Sequence, residues 1–207
     1  MKIFRLQPVL PAKGARPKPA LLLECKPSAK QRLAGDRFRG EPFPDDWKRA
    51  ELNFGNQVPW QADFYFYGPG ALVCSERAKD VLAPLEDEGE FLPVKVAGIR
   101  GDYFLFNSFA CRSYLNEAKS TVRKANANDG VPEISKHGFW TSRIGDECLF
   151  KLVEGGAVDL YCIERTGDPC DGEFRALVKE AGLTGVAFET VWSSGKLANR
   201  TKISDQR

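Results

Sequence analysis

This chain is poor in the groups from which most active sites are built. Its 207 residues contain a single histidine, His137, so a hydrolase or transferase centre built on imidazole has one candidate and no second choice. His137 lies in Ser135-Lys136-His137-Gly138, a turn-like setting that reads as a solvated loop. The six cysteines, at 25, 74, 111, 148, 162 and 170, include no Cys-x-x-Cys pair, which argues against zinc and leaves them as reduced thiols. No Gly-x-Ser-x-Gly elbow and no Walker-type loop is present. Gly68-Pro69-Gly70 is too short to cradle a phosphate, and its proline removes a needed N–H. The acids at 86, 87, 88 and 90 lack the alternation of a calcium loop and read as a solvated turn. No metal and no cofactor are therefore expected.

Charge of one sign is also lacking. Thirty Lys and Arg stand against 28 Asp and Glu, and a net charge of +2 gives no ground for a nucleic-acid or membrane partner. No apolar run approaches the roughly 18 residues of a membrane helix. Met1-Lys2-Ile3-Phe4-Arg5 does not open a secretory leader. A cytoplasmic protein is the expectation. Nothing in the pattern specifies an oligomeric state.

What the chain does have is an internal echo. Ala71-Leu72-Val73-Cys74-Ser75-Glu76-Arg77 is an apolar run followed by Ala78, Val81, Leu82 and Leu85, spaced i, i+3, i+4, i+7 as on one buried helix face. Phe91-Leu92-Pro93-Val94 closes it. Leu160-Tyr161-Cys162-Ile163-Glu164-Arg165 is the second run, Phe174, Leu177, Val178 and Ala181 repeat the stripe, and Val186 to Trp192 closes. Ser75 is placed to cap the first helix and Pro84 to limit it. Gly182 suits the left-handed position after the second. Cys74 and Cys162 fall inside apolar runs at equivalent places and read as small buried hydrophobes. Glu76-Arg77 and Glu164-Arg165 read as structural: the acids favour the helix N-termini, and the arginine stems cover apolar surface.

Around these units the pattern predicts strands at 2–6, 21–25, 60–67, 91–96 and 103–106, with Gly98 to Asp102 as a hairpin connection. Tyr114, Leu115, Ala118 and Val122 predict a short helix. Residues 138–153 read as strand-like. The expected fold is α+β: a mostly antiparallel sheet, a few short helices, and two similar strand-helix-strand units packed on one sheet. Residues 1–56 read as an irregular N-terminal extension on the body, 57–192 as the domain proper, and 193–207 as a flexible tail. Two segments combine charge with tryptophan, Asp45-Asp46-Trp47 and His137-Gly138-Phe139-Trp140. A tryptophan ringed by polar groups has the composition of a binding hot spot, and equally of a plug at a core edge.

Asp63-Phe64-Tyr65-Phe66-Tyr67-Gly68-Pro69-Gly70-Ala71-Leu72-Val73-Cys74-Ser75-Glu76-Arg77 resembles the central signature of a bacterial polymorphic-toxin immunity-protein family, named for a Myxococcus member and formerly a domain-of-unknown-function family. Phe91-Leu92-Pro93-Val94 and Tyr103-Phe104-Leu105-Phe106-Asn107 resemble its continuation. Cys162-Ile163-Glu164-Arg165 and Gly182-Leu183-Thr184-Gly185-Val186-Ala187-Phe188 resemble its second half. The likeness spans about residues 57–192. Ile163 stands where the family has serine, and the insert 166–172 delays the second helix, which moves its expected cap to Asp171. The resemblance implies an antitoxin, not an enzyme, that protects the producing cell by binding its cognate toxin protein. The signature residues Ser75, Glu76, Arg77, Glu164 and Arg165 would be structural. Asp45, Asp46, Trp47, Phe139 and Trp140 are the candidates for the partner-binding surface. The alternatives are a non-catalytic interaction or small-ligand module and, further off, an enzyme using carboxylates such as Asp63, Glu76 or Glu164.

Overall fold

The computed structural model describes residues 1–9, 38–55, 59–67, 70–123, 132–156, 158–165 and 173–195, and the backbone course of 22–25. In chain order the elements begin with β1 (Lys2–Pro8), β2 (Leu22–Cys25), β3 (Ala50–Asn53), β4 (Phe64–Tyr67) and β5 (Ala71–Ser75). Helix α1 (Glu76–Val81) and a 3-10 run (Ala83–Glu88) lead into β6 (Gly89–Val96), β7 (Tyr103–Ser108), β8 (Cys111–Arg112), β9 (Thr121–Arg123) and β10 (Glu133–Lys136). The rest are β11 (Leu149–Leu152), β12 (Leu160–Glu164), α2 (Phe174–Glu180) and β13 (Val186–Ser193). This is an α+β structure, rich in strand and with few, short helices.

The strands form two main bodies. One is a closed barrel, β2-β3-β6-β7-β5-β4; the other is a five-stranded sheet, β13-β1-β12-β11-β8. Pairing is antiparallel except at β2–β4, β3–β6 and β8–β11. Alternation along each strand explains how one chain fills three cores. In the barrel, Tyr65, Tyr67, Val73, Leu92, Val94, Tyr103 and Leu105 point inward. Their neighbours Phe64, Leu72, Cys74 and Phe106 point outward into a middle core. The five-stranded sheet meets that middle core with Phe4, Leu6, Leu149, Leu160 and Cys162. Its other face carries Ile3, Phe150, Leu152, Tyr161 and Ile163, covered by Tyr114, Leu115, Ile134 and Phe139. Strands buried on both faces read as continuous apolar runs, which is why 71–74 and 160–163 show no alternation in sequence.

Both expected helices form, and they share the middle core: Ala78, Leu82 and Leu85 from the first unit, Phe174 and Val178 from the second. Ser75 caps α1, its hydroxyl accepting from the Ala78 N–H at 3.1 Å. Gly182 follows α2 at φ +60°, as its position after the stripe requires. No side-chain cap is formed by Glu173 at the N-cap of α2, and Asp171 lies outside the described residues.

Several expectations are corrected. The two units do not share one sheet: β5 and β6 belong to the barrel, β12 and β13 to the five-stranded sheet. Residues 1–56 are more than an extension, because β1 lies between β12 and β13 and β3 closes the barrel against β6. The segment 114–122 is not a helix; Leu115 bridges to Phe139, a 3-10 turn spans Glu117–Lys119, and β9 follows. Its apolar residues match a helical period only by coincidence, since Tyr114 and Leu115 plug the outer core while Val122 is exposed. The acidic turn is only half solvated. Glu88 accepts from the N–H groups of Cys148 at 2.7 Å and Leu149 at 2.8 Å, tying the barrel to β11. Glu90 accepts from Phe43 N–H at 2.8 Å and from the Asn107 side-chain amide at 2.9 Å. Fully buried Lys151 completes this polar seam by donating to the Phe38 carbonyl at 2.6 Å; burial pulls its pKa down to about 8.

Candidate functional site

Residues of the run 63–77 and of the turn 181–184 form a clasp between the two bodies. Asp63, just before β4, accepts from the Thr184 N–H at 2.8 Å, the Thr184 hydroxyl at 2.9 Å and the Ser75 hydroxyl at 3.1 Å. Arg77 pairs with Asp63 at 3.3 Å and donates to the Ala181 carbonyl at the end of α2. Phe64 N–H donates to the Thr184 carbonyl at 2.9 Å. Residues 63–77 therefore grip the turn that leads into β13. Glu76 is exposed at the first turn of α1, and its N–H donates to the Asp102 carbonyl at 3.0 Å. Glu164 pairs with Lys2 at 3.1 Å and with Arg175. Arg165 donates to the carbonyls of Gly145 at 2.8 Å and Glu147 at 3.2 Å, while its own N–H meets Glu173 at 2.7 Å.

The two tryptophan segments are placed in different cores. Asp45 and Asp46 are exposed. Trp47 is half-buried against Phe43, with ring centroids 5.0 Å apart, and its indole N–H donates to the Pro93 carbonyl at 2.9 Å. It is held at the rim of the barrel. Phe139 belongs to the outer core beyond the five-stranded sheet, in edge contact with Phe150 at 6.3 Å and Trp192 at 5.9 Å. Phe139 is 5% exposed and cannot itself meet a partner. Trp140, next along, is 42% exposed, with the Arg143 guanidinium 5.4 Å from its ring centroid. Its N–H donates to the Tyr114 carbonyl at 2.9 Å, so the backbone is fixed while the ring faces solvent. Phe139 thus anchors the segment in the core, and the Trp140 ring is left on the surface. Arg143 has no separate sequence signal; it joins through the 3-10 turn Thr141–Arg143.

Sequence reasoning also misplaced His137. It is half-buried, with Nε2 3.2 Å from the Tyr161 hydroxyl and its ring stacked 6.1 Å from Phe139. Tyr161 in turn lies 3.5 Å from Asp159, and Arg5 bridges Asp159 at 3.5 Å and Glu189 at 2.7 Å. These five polar residues come from distant parts of the chain, so no local pattern announces them. Burial, with Arg5 adding to it, pulls the His137 pKa down to about 4. Unfolded, it would titrate near the usual 6.5. The unfolded state then binds more protons between those values. The contribution is fully present above pH 6.5 and is lost as pH falls toward 4. Allowing for its solvent exposure, stability should drop by about 1 kcal/mol between pH 7.5 and pH 5 on this account. Urea titrations at the two pH values check this, and His137→Gln should remove most of the difference.

Cys74 and Cys162 are completely buried and free, and burial pushes both thiols up. Among the described residues no group of three metal-ligating side chains occurs, and no helix is long and apolar enough to cross a membrane. No protein-family model matches the chain, and no curated protein matches it.

Proposed function

We propose that this chain is an immunity protein, a non-catalytic cytoplasmic binder that neutralises the toxin domain of a cognate secreted toxin. The observation that carries the reading is the signature-like run Asp63 to Arg77, joined to the Gly182-to-Phe188 turn through the Asp63–Thr184 and Arg77–Ala181 contacts. The two stretches that resemble the immunity family in sequence meet each other in space. Their polar groups are occupied in holding the fold, which is the use expected of family-wide residues in a protein whose partners vary.

We also read β5–α1–β6 and β12–α2–β13 as two versions of one unit. In each, two strands flank an antiparallel one: β7 lies between β5 and β6, and β1 between β12 and β13. A further strand pairs antiparallel outside each, β4 on β5 and β11 on β12. The helices of the two units meet in the middle core. The inner faces are consumed by this mutual packing, so recognition falls to the outer surface.

On that surface, Trp140 with Arg143 has the composition of a hot spot: an aromatic anchor and an arginine on a fixed backbone. Protection demands tight binding, and nanomolar affinity corresponds to about 12 kcal/mol. A few such anchors within a standard interface of about 1,600 Å² can supply it. The test is to express the chain with the product of its neighbouring toxin gene and to measure both complex formation and host survival. Trp140→Ala should weaken the complex by more than about 2 kcal/mol with the melting temperature kept. Trp47→Ala should instead lower stability, because its ring and indole N–H are spent on Phe43 and Pro93. Absence of binding and of protection with every neighbouring secreted protein would reject the function. Binding unaffected by Trp140→Ala would reject only the surface.

A further inference from the structure

Among the described residues the five-stranded sheet has one long open edge. β8, on one side, is a two-residue strand that ends the sheet. β13, on the other, is eight residues long, and among the described residues it pairs only with β1. Exposed edges are usually guarded by lysine, proline or an inward charge. Val186-Ala187-Phe188-Glu189-Thr190-Val191-Trp192-Ser193 has no lysine and no proline. Its one charge, Glu189, is taken up by Arg5 at 2.7 Å and by the Gln7 amide at 3.2 Å.

The ladder shows which backbone groups face outward. Val9 N–H donates to the Gly185 carbonyl at 3.3 Å, so Gly185 points toward the β1 side. By alternation Ala187, opposite Gln7, and Glu189, opposite Arg5, do the same. Val186, Phe188 and Thr190 therefore direct their N–H and C=O groups away from β1. The regular ladder ends just after, where the register shifts between Ile3 and Phe4.

We propose that this edge pairs with the same edge of a second copy of the chain, antiparallel about a two-fold axis at Phe188. Outward groups must meet outward groups, which restricts the axis to a few positions. Centred on Glu189, the pairing would set two glutamates face to face. Centred on Phe188, it joins Phe188 to Phe188 of the second copy, and Val186 to Thr190 in both directions. All three outward residues are then satisfied on each chain. The two phenylalanines lie on the middle-core face, where Phe188 already packs on Phe4 and Phe174 at 6.3 and 6.1 Å. On the opposite face Glu189 meets Ala187 of the second copy, so no like charges are opposed. The two five-stranded sheets become one continuous sheet.

Sedimentation equilibrium of the full chain across the micromolar range tests this. The wild type should show a concentration-dependent dimer. The Ala187 side chain is exposed, so its substitutions should leave the fold intact. Ala187→Glu opposes Glu189 of the second copy twice per dimer and should weaken association at least about ten-fold. Ala187→Lys should keep or tighten it. Thr190→Pro deletes an outward N–H without touching the β1 ladder, and should weaken association to a similar degree. Backbone hydrogen exchange at Phe188 and Thr190 should slow as concentration rises. A monomer at every concentration, an edge that accepts only a strand of a different protein, or a dimer indifferent to Ala187→Glu and Thr190→Pro would overturn the proposal.

Discussion

Gly185→Ala should cost the folded protein about 3 kcal/mol or more and lower its melting temperature by about 6–12 °C. Two causes act together. Gly185 has φ +100°, a region that side chains rarely enter. A Cβ there would also collide with the Phe64 carbonyl oxygen and lie 3.0 Å from the Phe64 carbonyl carbon and nitrogen. These are backbone atoms of a barrel strand, and Phe64 N–H is itself bonded to the Thr184 carbonyl at 2.9 Å. No rotamer change can relieve the clash, so the turn must leave its seat. Gly182→Ala is the control. Gly182 has φ +60° but open space around it, so alanine there should cost only about 1 kcal/mol. Equal losses for the two variants in thermal or urea melts would show that the turn does not grip β4.

The spacing of apolar residues was enough to place both helices, because each has one buried stripe on a short, capped segment. It also found most strands of the barrel, where aromatic and β-branched residues are dense. What it missed depends on distant pairing. β3 carries Ala50-Glu51-Leu52-Asn53, too short and too polar to stand out, and becomes a strand only because β6 lies beside it. β11 falls in a segment read as strand-like, but the burial of its Lys151 is not legible until the Phe38 carbonyl and Asn107 are brought to its ammonium. β1 is legible as a strand, but nothing in Lys2-Ile3-Phe4-Arg5-Leu6 announces that β12 and β13 close on either side of it.

The candidate site was legible to the same degree. Trp140 and Trp47 were equal in composition, and only their surroundings separate an exposed ring under Arg143 from a rim plug held by Pro93. The pairing of Glu76-Arg77 with Glu164-Arg165 was visible as a repeat, but the contacts are not equivalent. Arg77 crosses to the Ala181 carbonyl at the end of α2, whereas Arg165 stays with carbonyls of the segment before β11. A charge motif in sequence gives residue types; which partner each one finds is decided by the packing of the two bodies.

The second large effect expected is at the other half of the clasp. Asp63→Ala should destabilise by about 3 kcal/mol, with Asp63→Asn near half of that. The carboxylate is 13% exposed and accepts from the Thr184 N–H and hydroxyl, the Ser75 hydroxyl and Arg77. A net hydrogen bond contributes about 1 kcal/mol, more to a charged acceptor, and three such bonds end on this carboxylate besides the ion pair. Alanine removes every acceptor at once and leaves the exposed Thr184 N–H and hydroxyl to water. Asparagine can turn its oxygen to Thr184 and keep those two bonds, at the expense of the ion pair with Arg77. That ion pair is exposed on the arginine side and should contribute less than 1 kcal/mol. A double-mutant cycle of Asp63→Ala with Thr184→Ala should return a coupling of about 1–2 kcal/mol, whereas the cycle with Arg77→Ala should return less. Should Asp63→Ala unfold within 0.5 kcal/mol of wild type in urea, the Asp63–Thr184 contacts are not what joins the barrel to the five-stranded sheet, and the Glu88 bonds to β11 would have to carry that connection instead.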